Sequence, residues 1–163
     1  MTSNGFARHF AAALLLLFST GATAQQDLKL KFGTWKLNLQ KSKFAPGTEP
    51  RSDTRICEDR GDGVIMSTHT TVNMDGQEAL TIYAAKSDGK EYPVATRGSG
   101  ALSTIAFHVI DDYSESFVLT RDGKVATRGV TSTSKDGKTL TMTMNTTNSG
   151  GKSEQVVHIY DKQ

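Results

Sequence analysis

Five Asp-Gly pairs punctuate the chain, at Asp62-Gly63, Asp75-Gly76, Asp88-Gly89, Asp122-Gly123 and Asp136-Gly137. Glycine reaches positive φ at no steric cost and aspartate bonds its own local backbone, so the pair favours the tight turn of a β-hairpin. The first three pairs are evenly spaced, and the last two stand at nearly the same interval. Gly98-Ser99-Gly100 and Asp111-Asp112 fill the gap between the third and fourth, and Asn148-Ser149-Gly150-Gly151 adds a turn near the end. Turns therefore recur at short and nearly regular intervals from Asp62 onward. That rhythm leaves room only for short strands, and indicates an all-β barrel or sandwich.

The segments between the turns have strand composition. Val64–Val72, Leu80–Ala84, Thr104–Val109 and Leu140–Met144 are rich in β-branched residues. Ile105, Phe107 and Val109 share one face of their segment, as Leu140, Met142 and Met144 do of theirs, which is the period of a strand with one buried side. No segment after Ala24 shows a sustained apolar stripe at helical period; at most a helical turn is expected around residues 40–44, ended by Pro46-Gly47. Strands are predicted near 33–39, 52–60, 63–74, 77–86, 90–97, 102–110, 114–121, 124–134, 138–147 and 152–161, with 40–51 as the one long loop. Adjacent strands joined by tight turns pair antiparallel, and a meander of eight to ten strands removes its two free edges by closing into a barrel. The segments 52–60 and 90–97 are the least secure, because Pro93 argues against a fully paired position.

The N-terminal segment 1–24 reads as a cleavable secretory signal. Arg8 and His9 precede the apolar run Phe10–Phe18, and the small-x-small triplet Ala22-Thr23-Ala24 follows. The run is too short to cross a ~30 Å hydrocarbon core. Cleavage is expected after Ala24, giving a periplasmic or secreted domain over 25–163 with no membrane anchor. A formal net charge of +2 on 163 residues argues against nucleic acid as a partner. Cys57 is the only cysteine, so no internal disulfide can form; it reads as a half-buried structural thiol.

Two end segments carry a family resemblance. Phe32-Gly33-Thr34-Trp35-Lys36-Leu37 resembles the Gly-x-Trp opening strand of the calycins, the lipocalins and fatty-acid-binding proteins. His158-Ile159-Tyr160-Asp161-Lys162 resembles the closing Arg-x-Tyr-Glu-Lys strand of the fatty-acid-binding group. The chain after the signal also resembles a set of exported bacterial lipocalin-like proteins that share Gly33–Asn38, Lys41–Phe44 and repeated Asp-Gly-Lys elements. The resemblance implies an up-and-down calycin-type β-barrel with a small-ligand cavity, one of whose ends is plugged by Trp35 under a basic side chain. It also implies two inward arginines. The first is replaced by His158; the second falls near Ser132, with Arg128 earlier on the same face. Only the loop 40–51 stands where the fatty-acid-binding group inserts a helical lid.

The candidate ligand-binding residues are His158, Tyr160, Arg128, Met142 and Met144. His158 and Tyr160 share a strand face with Val156 and supply polar anchors for an anionic or carbonyl head group if that face points inward. Met142 and Met144 suit a cavity wall, as Met66 and Met74 do on another strand, because methionine adapts to varied apolar partners. The histidines stand on separate predicted strands without metal-ligand spacing, and no nucleophile elbow or phosphate loop is present, so neither catalysis nor a metal or cofactor is expected. The expected function is binding or carriage of a small, partly apolar or amphipathic ligand by a monomer. The alternative is a structural or protein-interaction barrel with a filled interior. A third class is an esterase or isomerase using His158 with Tyr160.

Overall fold

The computed structural model describes residues 28–147 and 153–163. The expected signal segment with its cleavage point, and the turn at 148–151, lie outside the described residues. A 3₁₀ turn at Leu28–Lys31 leads into ten strands: β1 (Gly33–Leu37), β2 (Ser52–Asp59), β3 (Ile65–Val72), β4 (Glu78–Ala85), β5 (Tyr92–Thr96), β6 (Ser103–Val109), β7 (Ser114–Arg121), β8 (Lys124–Thr133), β9 (Thr139–Thr147) and β10 (Ser153–Lys162). Each pairs antiparallel with its chain neighbours, and β1 pairs with β10, so the meander is a closed ten-stranded barrel. The all-β, up-and-down architecture is the one the turn rhythm predicts.

Two of the Asp-Gly pairs form hairpin tips with both residues in the left-handed region. Asp62 and Asp122 have φ of 51° and 49°, followed by Gly63 at 75° and Gly123 at 74°. This twist matches that of the flanking strands. Closure leaves β2 and β5 without a free edge, so neither is the edge strand that Pro93 suggests; β5 pairs at three positions with each neighbour, Pro93 standing opposite Thr104. The helical turn expected at 40–44 is not a helix. A single hydrogen-bonded turn stands slightly earlier, with Asn38 O accepting from the Ser42 N–H at 3.1 Å, and Lys43 pairs with Val157 to lay the loop across β10.

The strand faces follow from register. Odd-numbered residues of β2 to β4, β6 and β7 point inward, as do the even-numbered ones of β5, β9 and β10, and buried Ser67, Phe107, Phe117, Met142 and Tyr160 mark that side. A β-bulge opposite Leu119 and Thr120 inserts Ala126 into β8, so its inward set from there on is Thr127, Gly129, Thr131 and Thr133. Arg128 and Ser132 therefore face out. Gly129 leaves the space that the Phe117 ring fills.

One barrel end is plugged. Trp35 is fully buried, its Nε1–H donates to Lys31 O at 2.8 Å, and Lys162 Nζ lies 4.9 Å from the ring centroid. Lys162 also donates to Leu30 O at 3.2 Å, which ties the 3₁₀ turn to the closing strand. A Cβ on Gly129 would sit 2.6 Å from Thr143 O and 2.7 Å from the Phe117 ring. Gly129→Ala is therefore expected to destabilise by about 1–3 kcal/mol through overpacking. Gly100→Ala, whose Cβ meets nothing within 4 Å, should change stability by no more than about 0.5 kcal/mol. Urea unfolding of both variants checks the contrast.

Candidate functional site

Between the plugged end and the opposite mouth the barrel holds a cavity of about 250 Å³. Its interior is thus not filled by side chains. Phe107, Phe117, Ile105, Leu119, Met142 and Met144 supply much of the apolar wall. At the mouth Thr96, Ser103, Thr127 and the exposed Arg121 form a polar rim beside the 97–102 and 122–123 turns. The residues are brought together by alternation, since each strand sends every second side chain inward.

Polar groups occupy the plugged end and one side wall. Lys31 Nζ lies 2.6 Å from Glu115 Oε2, both side chains being buried, and Ser87 Oγ donates to the same oxygen at 2.6 Å. Burial pushes the Lys31 ammonium below its ordinary pKa, and Glu115 pulls it part of the way back. On the side wall, His69 Nε2 lies 2.7 and 2.6 Å from the two oxygens of buried Asp53, and Thr71 Oγ1 donates to Asp53 Oδ2 at 2.9 Å. Burial and the nearby Arg55 lower the His69 pKa, against the pull of Asp53. Burial alone raises the Asp53 pKa, but the bonds from His69 and Thr71 and the charge of Arg55 outweigh it and hold the carboxyl below its usual range. At neutral pH the pair is a neutral imidazole donating to an ionised carboxylate.

Arg55 lines the cavity between these clusters. Its guanidinium carbon stands 5.4 Å from the Tyr160 ring centroid, a cation–π contact. Among the described residues no ion pair engages it, and its Nε has no hydrogen-bond partner. Cys57 and Ser67 line the same wall. Burial raises the Cys57 thiol above its ordinary pKa, with Arg55 opposing, which fits the structural-thiol reading better than a reactive one.

The structure brings together some of the residues singled out from the sequence. Met142 and Met144 line the cavity, whereas Met66 faces out against Arg60 and Met74 is exposed in a turn. His158 and Tyr160 do point inward, yet they stand in the wall behind Arg55 rather than in the lining. Tyr160 is fully buried, and burial, opposed by Arg55, pushes its phenol up to about 12. The His158 ring packs 5.1 Å from that of Phe44 on the loop, its pKa lowered chiefly by burial. Arg128 must be corrected. It is exposed on the outer face between Val118 and Asn145, because Gly129 and Phe117 take the inward positions. Sequence reasoning passes over Arg55, His69 and Asp53. The signal is their parity with Cys57 and Ser67, masked because the one branched aliphatic residue of that stretch, Ile56, faces solvent.

Among the described residues no group of three or more His, Cys, Asp or Glu side chains is placed to hold a metal ion, and no helix is long and apolar enough to cross a membrane. Compared with known proteins, the chain matches no family model and no curated protein.

The lowered pKa values of His69 and His158 bear on stability. A histidine whose pKa is depressed in the folded state takes up its proton first in the unfolded chain, so stability is lost as pH falls below the unfolded value of about 6.5. The urea midpoint is expected to fall between pH 7 and 5, and His158→Gln should remove part of that slope. A midpoint flat with pH in the wild-type protein contradicts this.

Proposed function

We propose that this barrel binds a small, partly apolar molecule in its interior and carries it outside the cytoplasm. The observation that carries the reading is the cavity of about 250 Å³, walled largely by apolar side chains and provided with a few buried polar groups. Such a mixture is the usual composition of a small-molecule site, in which apolar surface supplies affinity and a few polar anchors fix orientation. Its volume lies just below the ~300–1,000 Å³ of typical ligand pockets, so the occupant is small. The likeness of the two end strands to those of calycins supports the same reading, and the leader-like segment 1–24 supports export. The binding unit is a monomer on this account, since the barrel is closed by its own strands and the cavity is built from one chain.

Titration of the chain from Gln25 onward with a neutral solvatochromic dye tests the proposal. Saturable binding near one site per chain, displaced by small lipophiles, is expected. A folded, monomeric protein that binds neither dye nor lipophile at micromolar concentration overturns it and returns the barrel to the role of a scaffold.

A further inference from the structure

The interior charges cancel in pairs. Lys31 meets Glu115 at 2.6 Å, and Arg55 has the ionised Asp53 two residues away on the same inward face of β2. An ionic occupant would give up its hydration without gaining a free counter-ion, so the cavity suits a neutral molecule. Several polar atoms of the walls are also out of a ligand's reach. Arg55 Nε, Ser67 Oγ and the Tyr160 hydroxyl are sealed behind other atoms, and the Thr81 and Thr96 hydroxyls bond each other at 3.1 Å. His69 differs. It lines the cavity, yet its bonds to Asp53 run through Nε2 alone, at 2.7 and 2.6 Å. That network puts the N–H of the neutral ring on Nε2 and leaves Nδ1 a bare acceptor. Nδ1 has no hydrogen-bond partner among the described residues, and it is not one of the sealed atoms.

We propose that the ligand is a neutral phenol whose hydroxyl donates to His69 Nδ1; the proposal rests on reading the cavity as a ligand site. An aromatic wall begins beside that ring. His69 stands opposite Thr81, so Tyr83 is its diagonal neighbour on β4. The rings of Tyr83, Phe107 and Phe117 then follow one another, tilted, at centroid separations of 5.7 and 6.1 Å. All three line the cavity together with Met142 and Met144. Tilted ring contacts and sulfur–ring contacts favour an aromatic body over an alkyl one of equal area. Volume limits that body to one ring. An apolar cavity of about 150 Å³ takes a benzene, so about 250 Å³ leaves room for a hydroxyl and a short substituent. A phenol is uncharged at neutral pH and offers the O–H that the bare nitrogen lacks. An ether or ketone of similar shape has no proton to give, and would set its lone pairs against that of Nδ1.

Competition against the neutral dye at pH 7.5, with 4-ethylphenol, 4-ethylanisole, 4-ethylcyclohexanol and 4-ethylbenzoate, tests the assignment. The phenol is expected to bind about tenfold more tightly than the anisole, which keeps the oxygen but lacks the donor. It should also bind more tightly than the cyclohexanol and the benzoate. In His69→Phe the phenol-to-anisole preference should fall to near one. A second readout needs no variant. In the wild-type protein labelled with ¹⁵N-histidine, the Nδ1 resonance of His69 should move upfield on adding 4-ethylphenol and stay in place on adding 4-ethylanisole. If the dye binds but the phenol shows no preference over the anisole, His69→Phe keeps that preference, or Nδ1 does not respond, the assignment is wrong while the cavity reading stands. Benzoate or cyclohexanol binding as tightly as the phenol overturns the neutral or the aromatic part of it. Failure of the dye and all four compounds to bind removes the cavity reading and the phenol together.

Discussion

The antiparallel pairing of β1 with β10, Trp35 opposite Lys162 and Leu37 opposite Tyr160, turns a ribbon of hairpins into a vessel. An open ribbon would leave two rows of unpaired backbone groups and could keep no cavity dry, since its inner face would be one side of a sheet. Closure gives that face an inside. It also places Arg55 and Tyr160 on either side of β1, at a separation that lets a long guanidinium side chain reach over the ring. The plug of Trp35, Lys31 and Lys162 belongs to the same arrangement, because its parts come from the first strand, the turn before it and the last strand. Fold and plug share one closing contact.

Polar groups inside such a vessel carry opposite consequences for stability and for binding. The Lys31–Glu115 ion pair and the Asp53–His69 hydrogen bonds, with Arg55 near enough to lower the Asp53 pKa, hold shape. Arg55 Nε, Ser67 Oγ, Thr133 Oγ1 and the Tyr160 hydroxyl are buried without a hydrogen-bond partner. Groups in that condition lower stability in the empty protein and raise affinity for whatever supplies the missing acceptors.

Most of the fold is legible in the sequence because its signals are local. Asp122-Gly123 announces a tight turn whichever strands flank it, and the alternation of Ile105 and Phe107 or of Leu140 and Met142 declares an inner face without tertiary knowledge. Ten strands lie close to the spans those signals predict. What stays hidden depends on parity across a distance. The inserted Ala126 resets the inward positions of β8, which sends Arg128 to solvent, and nothing in Val125-Ala126-Thr127 distinguishes a bulge from regular strand. In β2 polar residues occupy both faces, so hydrophobicity points to Ile56 as the inward residue while the barrel turns Arg55 beside it into the cavity. The candidate site is least readable where its residues break the apolar-inside rule.

Closure of the ring by the last strand also sets an order of events in time. Asn38 bonds Asp161 across 123 residues, whereas the hairpins between them join near neighbours. Local pairings form quickly and the long-range one waits on the entropy of bringing distant segments together. A chain emerging from the ribosome N-terminus first can assemble its hairpins one by one, but β1 has no partner on its far side until β10 has been made. Trp35 therefore stays partly uncovered through most of synthesis, and its burial marks the moment at which the barrel becomes complete.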